Sequence, residues 1–245
     1  MNNARYLRYA RSLCWFLCAS LCPATAMEAH SRPAGEQGAE IRLHLTWPHT
    51  TVHHAVPAVL WLEPLAGTPA VPFISSEHYT LAQKNRMFLP HLLVVPVGAV
   101  VQFPNKDPFF HNVFSLFDGK RFDLGLYEAG SSKSVNFSRE GVSYIFCNIH
   151  PEMSAVVVAL SNSLYAVADH NDTFLLTGIP SGDYRLHLWI EGIRLSALDA
   201  LSRPVHITTG IVDLGELNIP VSSPQEKGHT NKFGQPYAPP SQSPY

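Results

Sequence analysis

The residues whose types and spacing could do chemistry together lie in and near one short segment. Cys147 is followed by His150 and Met153, which places a thiol, an imidazole and a thioether in one tight loop. A second imidazole, His111, lies upstream in the segment FFHNV, residues 109–113. Thiolate and thioether sulfurs suit Cu(I), and imidazole binds copper in both oxidation states. These four side chains therefore predict a copper site.

Two histidines, one cysteine and one methionine form the ligand set of copper centres that transfer single electrons. In such centres the His2Cys donors lie in a trigonal plane and a weak thioether lies on the axis. A copper site whose geometry lies between those that the two oxidation states prefer can exchange an electron with little rearrangement of its ligands. The axial position is also filled weakly or by another group in such sites, so the pattern leaves Met153 more open than the other three ligands.

The same residues also have an ordinary interpretation. A single buried cysteine usually behaves as a small, inert hydrophobe, and a nearby histidine is usually a surface group or a satisfied core group. Cys147 or His111 alone would therefore be no more than a core residue. The order of the four residues, their position at the end of a strand-like run and their flanking residues together favour metal binding.

The elements that must position these residues are β-strands, and helical signals are almost absent. Short apolar or alternating runs recur from residue 41 onward, bounded by Pro, Gly and Asn. Turn sequences such as Pro96-Val97-Gly98 and Glu140-Gly141 separate them. The pattern predicts an all-β chain of sandwich or barrel architecture. The predicted strands are 41–47, 58–62, 91–97, 99–103, 134–137, 142–147, 155–160, 165–168, 174–177, 184–189, 205–208 and 214–219.

Three segments resemble one family, the cupredoxins. The segment CNIHPEM, residues 147–153, is similar to the cupredoxin ligand loop. Its short spacing and the Pro after His are most similar to amicyanin, because the loops of plastocyanin and azurin are longer. The segment VPVGAVVQFPN, residues 95–105, resembles the strand–turn–strand before the first ligand, and His111-Asn112-Val113 matches the His-Asn-Val of that ligand. The resemblance covers about residues 77–160.

The resemblance implies a Greek-key β-sandwich with one type 1 (blue) copper at one end. The implied ligands are His111, Cys147, His150 and Met153, and Asn112 would tie the two ligand loops together. The most similar proteins in style are plastocyanin-like proteins of the "methylamine utilization" type. Such a protein transfers single electrons between redox partner proteins and is not itself an enzyme.

A second resemblance lies after the copper segment. Residues 165–186 resemble the later half of carboxypeptidase-regulatory-like, transthyretin-type β-sandwich modules, with the turn Pro180-Ser181-Gly182-Asp183-Tyr184. Asp172 departs from the pattern, which usually has Gly there. Residues 40–64 supply an earlier half. We therefore expect a cupredoxin domain, 70–161, inserted between residues 40–64 and 162–220 of one small sandwich. A single enlarged sandwich and an independent C-terminal module remain alternatives.

The chain termini carry signals of export and disorder. Residues 1–26 resemble a signal peptide, with Arg5, Arg8 and Arg11 before a short apolar stretch and Ala24-Thr25-Ala26 as the cleavage site. The apolar stretch is too short to span a bilayer, and no later apolar run reaches roughly 18 residues. We expect a periplasmic protein without an integral membrane span. Its first residues, 27–39, are expected to be flexible, and residues 222–245 are expected to form a disordered tail.

Removal of residues 1–26 changes the charge and the cysteine count. It leaves 14 basic against 19 acidic residues, a net charge of −5, which argues against nucleic acid as a partner. Cys147 is then the only cysteine, so no intrachain disulfide can form. A lone thiol in an oxidising compartment is a liability unless a ligand occupies it. The oligomeric state is not specified by these patterns.

Several other residues have two interpretations. His49, His53 and His54 fit a metal-loading patch or, more simply, a solvated loop. His91, at a predicted strand start, fits a supporting role near the metal or a structural role. The apolar residues beside the ligands, Phe109, Phe110 and Pro151, fit a docking surface around the copper edge or the packing of the sandwich end.

Alternative functions follow from what the motifs include and lack. A multicopper oxidase or copper nitrite reductase would need further histidines, typically His-x-His pairs, and the sequence has none. A dinuclear copper centre would need two cysteines. Serine-hydrolase, zinc-protease and phosphate-loop motifs are also missing. The alternatives to electron transfer are copper binding or storage, and an extracytoplasmic binding module with an auxiliary copper site.

Overall fold

The computed structural model describes residues 38–48, 56–73, 78–116, 119–219 and 231–235. The predicted signal peptide, residues 27–37 of the expected flexible segment, most of the expected tail and His49, His53 and His54 lie outside the described residues. Over the described residues the elements are β1 (Ala39–Thr46), β2 (Ala58–Pro64), β3 (Tyr79–Thr80), β4 (Ala82–Lys84), β5 (Met87–Leu89), β6 (Leu92–Pro96), β7 (Ala99–Pro104), β8 (His111–Ser115), β9 (Phe122–Tyr127), β10 (Ser132–Phe137), β11 (Gly141–Phe146), β12 (Ser154–Leu160), β13 (Tyr165–Val167), β14 (Thr173–Ile179), β15 (Gly182–Ile190), α1 (Leu195–Leu201), β16 (Arg203–Ile207) and β17 (Ile211–Asn218).

The middle of the chain forms one β-sandwich, here called the metal sandwich, from strands β3 and β6–β12. One sheet has the order β10-β7-β3 and the other the order β6-β12-β11-β8-β9. The chain changes sheets between β6 and β7, between β7 and β8, between β9 and β10, and between β10 and β11, and such connections are of the Greek-key kind. Its core residues include Phe103, Val135, Ile145 and Val157, which alternate with outward-facing residues as the period of a strand requires.

The strands before and after the metal sandwich pair with each other in a second sandwich. One sheet has the order β14-β1-β17 and the other the order β13-β2-β15-β16. Strand β1 runs antiparallel to β14 and parallel to β17, so residues 39–46 are hydrogen-bonded on both sides to the last part of the chain. Leu43, Leu60, Phe174 and Trp189 are buried in its core. That the metal sandwich is a cupredoxin domain inserted into a module of another family stays a prediction, because strand pairing shows position and not ancestry.

Strand β12 belongs to both hydrophobic cores. Val157 is buried in the core of the metal sandwich, whereas its neighbours Val156 and Val158 are buried in the core of the second sandwich. Side chains of successive strand residues point to opposite faces, so the second sandwich covers the outer face of the five-stranded sheet. The indole N–H of Trp189 donates a hydrogen bond of 3.1 Å to the Tyr144 hydroxyl across this contact.

His91 makes a polar connection between the two sandwiches. Its Nε2 lies 2.6 Å from a carboxylate oxygen of Glu191, and its Nδ1 lies 3.1 Å from the carbonyl oxygen of Ser154. The hydrogen bond to Glu191 raises the pKa of His91. Of the two roles that the sequence allowed, the structure places His91 in the structural one.

The all-β prediction is confirmed, and each predicted run overlaps an observed strand. The sequence analysis missed the short strands β3–β5, and it missed β8 and β9. It also missed the helix α1, whose seven residues are well short of the roughly 20 that cross a bilayer. At Asp172 the chain adopts φ = +57°, so the turn does require the left-handed conformation for which the family pattern usually supplies Gly.

The double burial of β12 leads to a prediction about stability. We expect Val158→Ala to lower the free energy of unfolding by about 1–3 kcal/mol, because it removes two buried methyl groups from a packed core. The matched control is Val100→Ala on β7, where the side chain is 50% exposed and the loss should be about 0.5 kcal/mol or less. Urea unfolding followed by circular dichroism measures both. Equal losses for the two variants would contradict the contact between the sandwiches.

Candidate metal centre

Two neighbouring strands bring the predicted ligands together. Strands β8 and β11 are antiparallel, with Phe146 opposite Phe114. His111 is the first residue of β8, and Cys147 follows the last residue of β11. In antiparallel strands the start of one lies beside the end of the other, so the two residues meet at one end of the metal sandwich although they are far apart in sequence.

Backbone hydrogen bonds close the loop that carries the other predicted ligands. The Met153 N–H donates to the carbonyl oxygen of His150 at 3.0 Å, and the Cys147 N–H donates to the carbonyl oxygen of Met153 at 3.3 Å. The loop between β11 and β12 is therefore a compact turn, and the position of His150 follows from it.

Three possible metal-donor atoms, one each from Cys147, His150 and His111, lie close together beside this turn. The Cys147 Sγ lies 3.8 Å from Nδ1 of His111 and 3.6 Å from Nδ1 of His150, and the three donor atoms all lie within 4.8 Å of one another. Metal bonds of roughly 2.0–2.3 Å at about 120° to each other separate their donor atoms by about 3.5–4 Å. The two sulfur–nitrogen separations therefore fit a metal ion held by Cys147, His111 and His150.

The protonation of Cys147 is set by opposing effects. Burial raises the pKa of its thiol, while the backbone N–H groups of Asn112, Ile149 and His150 oppose this by hydrogen bonding to the sulfur. The thiol is therefore neutral without a metal, and three N–H donors are already directed at the thiolate that a metal requires.

His150 is prepared for a metal in a different way. Burial, followed by the nearby His111, lowers its pKa. A lowered pKa keeps the imidazole neutral at pH 7, with a nitrogen lone pair available. The ring is half-buried, whereas His111 is fully buried.

A buried carboxylate lies behind His111. The Nε2–H of His111 donates to Oδ2 of Asp107 at 2.8 Å, and only 5% of the Asp107 side chain is exposed. The carboxylate also accepts the backbone N–H groups of Asn85 at 2.6 Å and Arg86 at 3.0 Å. Burial raises the pKa of Asp107, but hydrogen bonds from Arg86, His111 and Asn85 outweigh it and hold the pKa below its usual value. The sequence analysis missed Asp107; its position four residues before His111 was the available signal.

The other two predicted site residues are placed as follows. Met153 is buried in the same core as Cys147, and its role as the axial ligand stays a prediction. The side chain of Asn112 donates its Nδ2–H to Asp123 in β9 at 2.7 Å, and its Oδ1 is buried without a hydrogen-bond partner among the described residues. The backbone of Asn112, through its N–H to Cys147, therefore connects the two ligand segments, and a tie through its side chain stays a prediction.

The flanking apolar residues, Phe109, Phe110 and Pro151, divide between the two roles that the sequence allowed. Phe109 packs against both imidazoles, with its ring centroid 5.2 Å from that of His111 and 5.7 Å from that of His150. Phe110 is 56% exposed, and Pro151 is exposed. Phe109 thus holds the ligand rings in place, whereas Phe110 and Pro151 are available at the surface.

Part of the C-terminal tail lies against the ligand loop. Residues 231–235 form a turn in which Asn231 Oδ1 accepts the N–H groups of Phe233 and Gln235. The Lys232 N–H donates to Asn148 Oδ1 at 2.9 Å, and its ammonium group donates to Asp123 Oδ2 at 2.8 Å. Residues 231–235 of the segment expected to be disordered, 222–245, thus make these hydrogen bonds, and the disorder of that segment stays a prediction.

Comparisons with known proteins give weak structural similarity only. No family model and no curated protein matches the chain. A solved purple cupredoxin from Nitrosopumilus maritimus is 24% identical over 34% of this chain and 99% of its own, with a TM-score of 0.31. A mutant of amicyanin in its Cu(I) form is 18% identical over 41% and 98%, with a TM-score of 0.33.

A copper-containing nitrite reductase from Thermus scotoductus is also similar. It is 23% identical over 39% of this chain, with a TM-score of 0.33, and the match covers only 25% of the reductase. With TM-scores this low, the three similarities add no weight to the site, which rests on the geometry of its own residues.

The tail contact leads to a second prediction. Lys232→Ala should raise hydrogen exchange at the amides of 148–150 about two- to fivefold, because a partly exposed ion pair contributes up to about 1 kcal/mol. Lys84→Ala, an exposed lysine on β4, is the control and should leave these amides unchanged. Exchange measured by mass spectrometry tests this. If both variants exchange like the unmodified protein, the tail does not hold the loop.

Proposed function

We propose that this chain is a blue copper protein that binds one copper ion through His111, Cys147 and His150 and carries single electrons between redox partner proteins. The observation that carries the proposal is the buried thiol with two imidazole Nδ1 atoms 3.6 and 3.8 Å from its sulfur. A set of one thiolate and two imidazoles binds copper in both oxidation states. Met153, buried in the same core as Cys147, would supply a further and weaker sulfur donor.

The bound copper would supply a one-electron couple between Cu(II) and Cu(I). Transfer of a single electron would require no proton transfer and no formation or breaking of a covalent bond. It requires from the protein a donor set whose geometry changes little between the two states.

The residues around the site provide such rigidity. Cys147 directly follows β11, His111 begins the neighbouring strand β8 of the same sheet, and the ring of Phe109 packs against both imidazoles. The sulfur is fully buried, so water is excluded from one side of the site. A donor set held in this way would change little on electron transfer.

The electron path that fits this geometry passes through His150. Its Nδ1 faces the sulfur, so its outer edge is the ligand edge nearest to solvent, whereas His111 is fully buried. Ile149 and Pro151, the chain neighbours of His150, and Phe110, the chain neighbour of His111, are exposed, and we propose that these three apolar side chains form a small patch, here called the docking face. Weak redox encounters bury little surface, and a patch of this kind suits them.

The place of the protein in the cell is part of the proposal. The signal peptide expected over residues 1–26 supports export to the periplasm, where a lone thiol is protected if it is bound to copper. We also propose that the metal sandwich is a cupredoxin domain. The second sandwich would be a transthyretin-like module whose two halves, residues 40–64 and 162–220, lie before and after it in the chain. Copper storage is the second candidate, because the sulfur donors also suit Cu(I).

Spectroscopy of the purified, copper-loaded protein tests the ligand set. We expect an intense visible absorption from thiolate-to-copper charge transfer, lost in Cys147→Ala and weakened or shifted in His111→Ala and His150→Ala. His206→Ala is the control, because that histidine is exposed on β16 of the second sandwich. An unchanged spectrum in Cys147→Ala would refute the assignment. Reversible reduction would favour electron transfer, and tight binding with sluggish redox response would favour storage.

The docking face leads to a separate prediction. Phe110→Glu should slow electron self-exchange at least severalfold and leave the visible spectrum unchanged, because it places like charges on both partners of each encounter. The control is Leu175→Glu on β14 of the second sandwich, which has almost the same exposure, 54% against 56%. Self-exchange rates measured by NMR line broadening test whether electrons pass through the docking face. Equal rates in both variants would place the electron path elsewhere.

A further inference from the structure

We propose that Asp107 is a positioning residue of the copper centre, which fixes the imidazole of His111 in its Nε2–H form and favours the oxidised metal through its negative charge. Only the claim that Asp107 favours the oxidised metal rests on the proposed function; the claim that it fixes the imidazole of His111 does not. The latter claim concerns a histidine and a carboxylate that both lie in the described structure.

The hydrogen bond between Asp107 and His111 determines which nitrogen of the imidazole carries the proton. Oδ2 of Asp107 lies 2.8 Å from Nε2 of His111, and the two side chains are 5% and 0% exposed. A carboxylate accepts hydrogen bonds and does not donate them, so the imidazole proton must lie on Nε2. The lone pair of Nδ1 is then directed at the Cys147 sulfur, 3.8 Å away, where a metal would bind.

Asp107 is itself held in place. Its Oδ1 accepts the N–H of Asn85, and its Oδ2 accepts the N–H of Arg86. Both donors lie in the turn between β4 and β5, with φ of +55° and +56°. The Asp107 N–H also donates to Asn105 Oδ1 at 3.0 Å. The carboxylate therefore cannot turn away from His111 without breaking several bonds.

Asp107 also has an electrostatic effect on the site. A charge in a buried site is poorly screened, and a carboxylate that accepts the proton of a metal-bound imidazole makes the imidazole a stronger donor. The charge of the carboxylate and the hydrogen bond that it accepts from the His111 Nε2–H, with the proton kept on the imidazole, both stabilise Cu(II) more than Cu(I), because Cu(II) carries the larger positive charge. The opposing charge nearby is Arg86, whose guanidinium lies 5.3 Å from the Phe109 ring centroid, and this residue is exposed and thus screened by solvent.

The variants separate the charge from the hydrogen bond. Asp107→Asn keeps an acceptor oxygen and removes the charge, whereas Asp107→Ala removes both. Asp183→Asn is the matched control, since Asp183 forms a 2.7 Å pair with His206 in the second sandwich but is 63% exposed. All three are made in the full chain, and the potential is measured by titration with a redox mediator.

For Asp107→Asn we expect the ratio of reduced to oxidised copper at a fixed potential to rise about tenfold, equal to about 59 mV for a one-electron couple. Asp183→Asn should change the ratio less than twofold. If the two variants change it equally, the charge of Asp107 does not set the potential and this half of the proposal is overturned.

NMR of the metal-free protein tests the positioning independently of copper. Nitrogen-15 shifts should show His111 as the Nε2–H form in the unmodified protein and as a mixture of forms in Asp107→Ala. A mixture in the unmodified protein would overturn the proposal. If instead the unmodified protein bound no copper but showed the Nε2–H form, the proposed function would fail while the positioning by Asp107 stood.

Discussion

The proposed copper site depends on one constraint: the sulfur of Cys147 is buried, yet binding of a metal requires that its thiol lose a proton. Burial raises the pKa of the thiol, and the N–H groups of Asn112, Ile149 and His150 point at the sulfur and partly offset this. The same burial places two imidazole nitrogens within 4 Å of the sulfur. A thiol in this environment is inert without a metal and ready to bind one, which is what a permanent metal ligand requires.

The rest of the architecture holds that arrangement in place. The antiparallel contact of β8 with β11 brings His111 to Cys147, and β12 fixes the other end of the ligand loop. Because β12 contributes to both cores, the sheet that carries the site is packed on both faces. A sheet buried in this way deforms little, and small deformation is the property that electron transfer between two copper oxidation states needs.

The sequence predicted the all-β class and the candidate ligands, because alternation and the C-x2-H-x2-M spacing are local signals. It missed β8, whose five residues are all buried and show no alternation, and β9, which contains Gly125. Asp107 was missed because its role depends on which nitrogen of His111 faces it, and only the folded chain sets that. The contact of Lys232 with Asn148 joins residues 84 positions apart, beyond any local pattern.

X-ray absorption at the copper edge, on the copper-loaded full chain, tests most directly the claim that one thiolate and two imidazoles bind a single copper ion. The proposed ligand set predicts one short copper–sulfur bond and two copper–nitrogen bonds, with nearly the same bond lengths in the oxidised and reduced samples. A first shell of nitrogen and oxygen donors without a short sulfur bond would contradict it.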